Sequence, residues 1–179
     1  MRGTNVNGIR LEGKRVTLRP LSMDEFDQEW ANRLEMDPSV QPIMPTRDAL
    51  QARFERSGIM KGGALDLAVE VDGRMIGGIQ TYVPPDRALP PGAFEIGISI
   101  DEPMQRKGYG TEAVRLLVGW LFSDVGATRI HMPTVPDNVA MCTVAERLGF
   151  EGEGTIRYEG QEFVFYVLTR ERWVDGGSG

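Results

Sequence analysis

Gln105-Arg106-Lys107-Gly108-Tyr109-Gly110-Thr111 is the stretch on which the reading of this chain turns. It falls between a segment with strand periodicity and a long amphipathic one. Glycines let a turn present successive backbone N–H groups, and a helix start adds unpaired donors and the positive end of its dipole. Such a junction suits a phosphate or diphosphate. Arg106 and Lys107 add mobile positive charge. Taken alone, the same residues serve equally well as a strand terminator carrying two solvated cations. The spacing G-x-x-x-x-G-K-[ST] is absent, so a phosphate-bearing ligand other than a P-loop nucleotide is implied.

On the N-terminal side of this turn, Phe94, Ile96, Ile98 and Ile100 share one strand face, and Glu95, Gly97, Ser99 and Asp101 share the other. The second face is expected to be free for chemistry. On the C-terminal side, a helix is predicted from Gly108 to Ser123, with Val114, Leu117, Val118 and Leu121 buried and Gly126 as its cap. Further out, Thr128 to Val135 reads as a strand, and Asp137 or Asn138 caps a helix bearing Met141, Val144, Ala145 and Leu148. Phe150 to Tyr158 and Glu162 to Arg170 form a closing hairpin. In the amino half, Val16 to Pro20 is a strand, and Ser22-Met23-Asp24-Glu25 has capping-box spacing ahead of Phe26, Trp30 and Leu34. A second helix starts at Thr46 and carries Leu50 and Phe54. Leu65 to Val71 and Met75 to Val83 make a hairpin around Asp72-Gly73, and the proline-rich 84–92 stretch is a stiff exposed connection. The predicted order is β α α β β β α β α β β, an α/β layer structure.

The chain has 179 residues, 41% hydrophobic and 26% charged, which points to one globular domain and away from collagen-like or disordered chains. A net charge of -6 disfavours bulk attraction to nucleic acid or anionic lipid. One cysteine, Cys142, and one histidine leave neither a disulfide nor the ligands of a structural metal site. The strongest apolar run, Leu116 to Phe122, is far short of the roughly 20 residues that cross a bilayer. With no secretion-type amino terminus, a cytoplasmic protein without membrane or nucleic-acid partners is expected. The domain is expected over 9–174, with 175–179 as a flexible tail.

The turn resembles the pyrophosphate loop of the GNAT N-acetyltransferase superfamily, [RQ]-x-x-G-x-[GA], at every defined position from Gln105 to Gly110. Glu95-Ile96-Gly97, Asp137-Asn138 and Glu146-Arg147-Leu148-Gly149-Phe150 follow the family order. Leu11 to Leu21 is similar to the opening of the RimJ/RimL-like branch, which acetylates protein N-termini, so the resemblance runs from Leu11 to Trp173. It implies an α/β (α+β) GNAT fold, with a central, mostly antiparallel mixed sheet splayed between the fourth and fifth strands and flanked by about four helices. It also implies acetyl-CoA as cosubstrate, no metal, and direct transfer in a ternary complex. Ile98, Ser99 and Ile100 would offer main-chain bonds to the pantetheine arm. Backbone groups of Arg106, Lys107, Gly108, Tyr109, Gly110 and Thr111, with Gln105 ahead of them, would hold the diphosphate. Asn138 would meet the distal part of the arm. Pro133 and Pro136 fit a splay by limiting pairing.

An amine must lose a proton to attack. A lysine-like amine is neutral on the order of one part in a thousand at pH 7, an α-amine roughly a tenth. Glu95, beside the inferred thioester, is the candidate base. Two departures from the family stand out. The helix tyrosine that commonly protonates the leaving thiolate is Ala145 here, and a serine frequent in the RimJ/RimL-like branch is Met141. His131, Cys142, Trp30, Trp120 and Trp173 read as packing residues. Met36, Met44 and Met60 read as core fillers that could also line an acceptor groove. The acceptor is expected to be a peptide or protein α-amine first, a cationic amine of the aminoglycoside kind second. The alternatives are a non-catalytic CoA sensor and an enzyme using a longer acyl donor. Exposed hairpins and the 84–92 connection leave room for a homodimer.

Overall fold

The computed structural model of the chain describes residues 8–25, 46, 48, 51–52, 55, 57–58, 60, 63–82, 89–158 and 160–176. The predicted helix through Phe26, Trp30 and Leu34, most of the one carrying Leu50 and Phe54, Met36 and Met44, and residues 83–88 of the proline-rich connection lie outside the described residues. Eight strands join one sheet: β1 (Leu11–Glu12), β2 (Thr17–Arg19), β3 (Leu65–Val71), β4 (Arg74–Tyr82), β5 (Ala93–Ile100), β6 (Arg129–Thr134), β7 (Glu151–Tyr158) and β8 (Gln161–Thr169). Their order across the sheet is β1-β2-β3-β4-β5-β6-β8-β7. β1 has no counterpart in the predicted order because two residues carry no readable period. The anticipated fourth and fifth strands are therefore β5 and β6.

Every neighbouring pair is antiparallel except β5 and β6, which are parallel because a helix carries the chain back between them. That helix, α1 (Tyr109–Trp120), buries Ala113, Val114, Leu117 and Val118 against the sheet. The predicted single helix to Ser123 instead widens into a π-type turn over Leu121–Val125, closed by left-handed Gly126. The extra width keeps both Leu121 and Phe122 in the core. Arg170 fastens this turn and the residue after its cap, donating to Phe122 O and, at 3.1 Å, to Ala127 O.

α2 (Val139–Arg147) lies against the same face as α1, and Ala145 and Leu148 enter the same core as Leu117 and Ile130. Met60 packs against that core, as a filler should. α3 (Arg170–Gly176) runs two residues into the expected tail. The capping box forms as its spacing predicts: Glu25 N–H donates to Ser22 Oγ at 3.3 Å and Ser22 N–H to Glu25 Oε2 at 2.8 Å. Arg19 clamps this turn to β3, reaching Glu25 Oε1 and Glu70 Oε2 at 2.5 Å each.

Gly77 of β4 sets how closely β5 can approach. A Cβ there would sit 2.1 Å from Ser99 O, so only glycine lets the two strands close. β5 is thus held firmly from one side.

Candidate functional site

The two strands flanking the parallel seam separate early. β5 and β6 pair only at Ala93↔Arg129, Phe94↔Ile130 and Glu95↔His131. β5 then continues to Ile100 and β6 to Thr134 with no further pair between them among the described residues. Pro133, which brings no N–H to either neighbour, sits just past the last pair. The expected splay is present, and it opens toward the start of α1.

Backbone alternation decides which groups face the gap. Asp101 N–H donates to Ile76 O at 2.9 Å, and Ser99 O lies against Gly77, so odd-numbered residues at this end of β5 turn their main chain toward β4. The main-chain groups of Ile96, Ile98 and Ile100 point the other way. Of the three predicted contributors, Ile98 and Ile100 therefore face the gap, while Ser99 faces β4. Ile100 O is already engaged by Gln105 Nε2 at 2.8 Å, which ties the following turn back to the strand.

Beyond a short 3₁₀ turn at Glu102–Met104, the chain passes through two left-handed residues, Arg106 at φ 60° and Gly108 at φ 85°. Arg106 holds a conformation that costs a non-glycine residue about 1–2 kcal/mol. At Gly108 a Cβ would also lie 3.2 Å from Arg15 Nη2. The first intrahelical bond of α1 runs from Glu112 N–H to Gly108 O at 3.1 Å, so the N–H groups of Tyr109, Gly110 and Thr111 precede the ladder. The predicted loop thus follows the open end of β5 and carries backbone donors ahead of the helical ladder, with Arg106 and Lys107 exposed.

Glu112 sits in the first turn of α1. Its Oε1 accepts from Arg15 N–H at 2.6 Å and Val16 N–H at 3.1 Å, and its Oε2 from Arg15 Nε at 3.0 Å. Burial opposes the charged form, yet these donors and the guanidinium charge hold its carboxyl below the ordinary range. Arg15 also donates from Nη1 to Lys107 O at 3.0 Å and lies 5.0 Å from the centre of the Tyr109 ring. Neither Arg15 nor Glu112 had a chemical role in the sequence reading, since they lie 97 positions apart.

Glu95 departs from its expected setting. Instead of lying on an uncovered face, it is 3% exposed, and the Tyr82 hydroxyl donates to its Oε1 at 2.5 Å. Register explains this: Tyr82, Glu95 and His131 are successive cross-strand partners on β4, β5 and β6, so their side chains share one face at the last closed pair. His131, read as a packing residue, is indeed buried, but beside Glu95. Asn138 caps α2 through Oδ1, accepting from Met141 N–H at 3.2 Å, and is exposed. Ala145 is fully buried. On the helix-covered face, the Tyr166 hydroxyl reaches Glu146 Oε1 at 3.4 Å. Its pKa is pushed up to about 12 by a hydrogen bond with Cys142, by burial and by the Glu146 carboxylate.

Among the described residues no three His, Cys, Asp or Glu side chains cluster as metal ligands. No described helix is long and apolar enough to cross a membrane.

A family model described as "Acetyltransferase (GNAT) domain" matches residues 15–151, a span holding the splayed strands, the donor loop and Glu95. The chain belongs to the GNAT acetyltransferase family. It is 28% identical over 168 residues to an aminoglycoside N(6')-acetyltransferase type 1 of Klebsiella pneumoniae, covering 87% of this chain and 84% of the relative. It is 29% identical over 161 residues to a probable N-acetyltransferase, YjcK, of Bacillus subtilis (strain 168), covering 82% and 86%. The crystal structure of an aminoglycoside acetyltransferase in complex with coenzyme A superposes with a TM-score of 0.73 at 26% identity, covering 91% of this chain and 99% of that one. The eight-stranded, mostly antiparallel mixed sheet is the fold that this GNAT neighbour shares.

Proposed function

We propose that this chain moves the acetyl group of acetyl-CoA onto a primary amine by direct attack in a ternary complex. The observation that carries this is the coincidence of a parallel seam that stops pairing after three residue pairs with a run of N–H groups ahead of the helical ladder beyond its open end. A pantetheine amide chain can take the place of the missing strand partner, and a diphosphate can accept from the helix start. Acetyl-CoA would supply an activated acyl group and a thiol leaving group. Ile98 and Ile100 would bond the arm through their main chain, and the backbone of Arg106 to Thr111 would hold the diphosphate. Gln105 would act by fixing that loop to β5, and Asn138 by starting α2 beside the arm. Ser99, with its main chain toward β4, has no direct part in this reading.

In the reaction a C–N bond forms as the C–S bond breaks. Glu95 accepts the amine proton, directly or through water, and the thiolate takes its proton from solvent in place of the tyrosine that Ala145 replaces. The N–H of Ile98, directed into the gap, donates to the carbonyl oxygen as it gains charge. Tyr82 keeps the Glu95 carboxylate pointed and hydrogen-bonded.

For the acceptor, the aminoglycoside relatives put a cationic amine of that kind ahead of a peptide α-amine, reversing the order the opening residues suggested. The acidic balance of the chain favours such a cation. Thiol release from acetyl-CoA against a panel of aminoglycosides and short peptides tests the proposal. Amine-dependent release with the aminoglycosides supports it. Tight cofactor binding without release under any amine would leave the CoA sensor instead, and faster release from longer acyl thioesters would change the donor.

A further inference from the structure

We infer that Arg15 is a positioning residue of the diphosphate loop, acting on it in two ways at once; this rests on the reading of the loop as a CoA site. The first is electrostatic. Glu112 places a carboxylate in the opening turn of the helix whose N-terminus would receive a diphosphate, and an unmasked negative charge there would repel the ligand. Arg15 binds that carboxylate through both its own N–H and its Nε, and the N–H of Val16 adds a third bond, so the charge is spent inside the protein.

The second is geometric. Arg15 Nη1 holds Lys107 O at 3.0 Å. In a trans peptide the carbonyl and the following N–H point in opposite directions, so fixing Lys107 O toward Arg15 turns Gly108 N–H away from it, to the opposite side of the loop. A carbonyl turned inward would repel the anion that the N–H attracts. The stacking of the guanidinium over Tyr109 and the left-handed Gly108, whose missing Cβ leaves room for Nη2, keep this arrangement in one register. Arg15 thus links the start of β2 to the one turn of the chain where peptide direction decides whether an anion is attracted or repelled.

The test compares coenzyme A binding by calorimetry in the wild-type chain, Arg15→Gln, Arg15→Lys and the double variant Arg15→Gln/Glu112→Gln, with melting temperature measured for each. Arg15→Gln is expected to weaken binding about tenfold, the size of one lost charge-assisted hydrogen bond. The loss should show in KM for acetyl-CoA more than in kcat. Arg15→Lys, which keeps the charge but not the fork, should fall between, and it serves as the comparator should the glutamine variant melt too low. The double variant removes both charges, while the side-chain amide introduced in place of the Glu112 carboxylate still accepts the two backbone N–H groups, so it should recover the electrostatic part of the loss and keep the part that comes from releasing Lys107 O. A merely structural Arg15 would give no such recovery. The inference is overturned by a folded Arg15→Gln that binds as the wild type does, or by a double variant no tighter than the single one. Failure of the wild-type chain to bind coenzyme A would instead overturn the CoA reading beneath it.

Discussion

The two ends of β5 obey the same sequence period and meet opposite fates. At its closed end, Ala93 to Glu95 are paired with β6, and Glu95 is buried under a hydroxyl from β4. At its open end, Ile96 to Ile100 are paired to β4 alone, and main-chain groups that a sheet would normally satisfy face a gap. Buried backbone polar groups need partners, so the open end asks for a ligand or water where the closed end is self-sufficient. The closed end therefore suits proton chemistry that needs a fixed carboxylate, and the open end suits a ligand with an amide backbone of its own.

Perturbing each end separately sharpens this division. The largest effect is expected from Glu95→Gln at the closed end: kcat for amine acetylation should drop about a hundredfold while calorimetry shows coenzyme A affinity retained. Equal losses in kcat and in cofactor binding would erase the distinction between the ends. Gly108→Val at the open end should do the reverse, weakening coenzyme A about tenfold, because a β-branched residue must hold φ 85° and crowd Arg15. Tyr82→Phe removes one hydroxyl donor to a buried carboxylate, and kcat/KM is expected to fall about tenfold or somewhat less with cofactor binding intact.

The smallest effect concerns acid stability. Glu25 and Glu112 both have carboxyl pKa values lowered in the folded chain; in each, burial works the other way and is outweighed by hydrogen bonds and an arginine. Their contribution is therefore full above the ordinary carboxylate range and fades as pH falls through their lowered folded values. Glu112→Gln should flatten the decline of melting temperature in that acidic window, by about 2 °C. An unchanged slope would show that the Arg15 pair adds nothing to folding.

Several features were legible because they are local. The helix beginning at Gly108, the capping box at Ser22 and Glu25, the Asp72-Gly73 hairpin and the Asn138 cap each follow from residues within a few positions of one another. The loop from Gln105 to Gly110 was readable for the same reason, as was its resemblance to a family. Other features were not. The burial of Glu95 depends on Tyr82 and His131 arriving at its register from two other strands, and alternation along β5 alone assigned its face to solvent. The turning of Ser99 toward β4 follows from which edge of β5 is paired, a property of the ladder that residue type does not encode.

The amino-acid order by itself determined most of the longer elements among the described residues and the glycine-rich turn, since helix starts, caps and tight turns are decided by neighbours along the chain; the two-residue β1, the π-type turn at Leu121–Val125 and the closing helix were left to the tertiary structure. Only the tertiary structure decided that β5 and β6 part after three pairs, that the candidate base is buried beneath a phenol, and that Arg15 meets Glu112 and Lys107 across more than ninety residues. Those outcomes depend on contacts between distant segments, which exist only once the sheet has assembled.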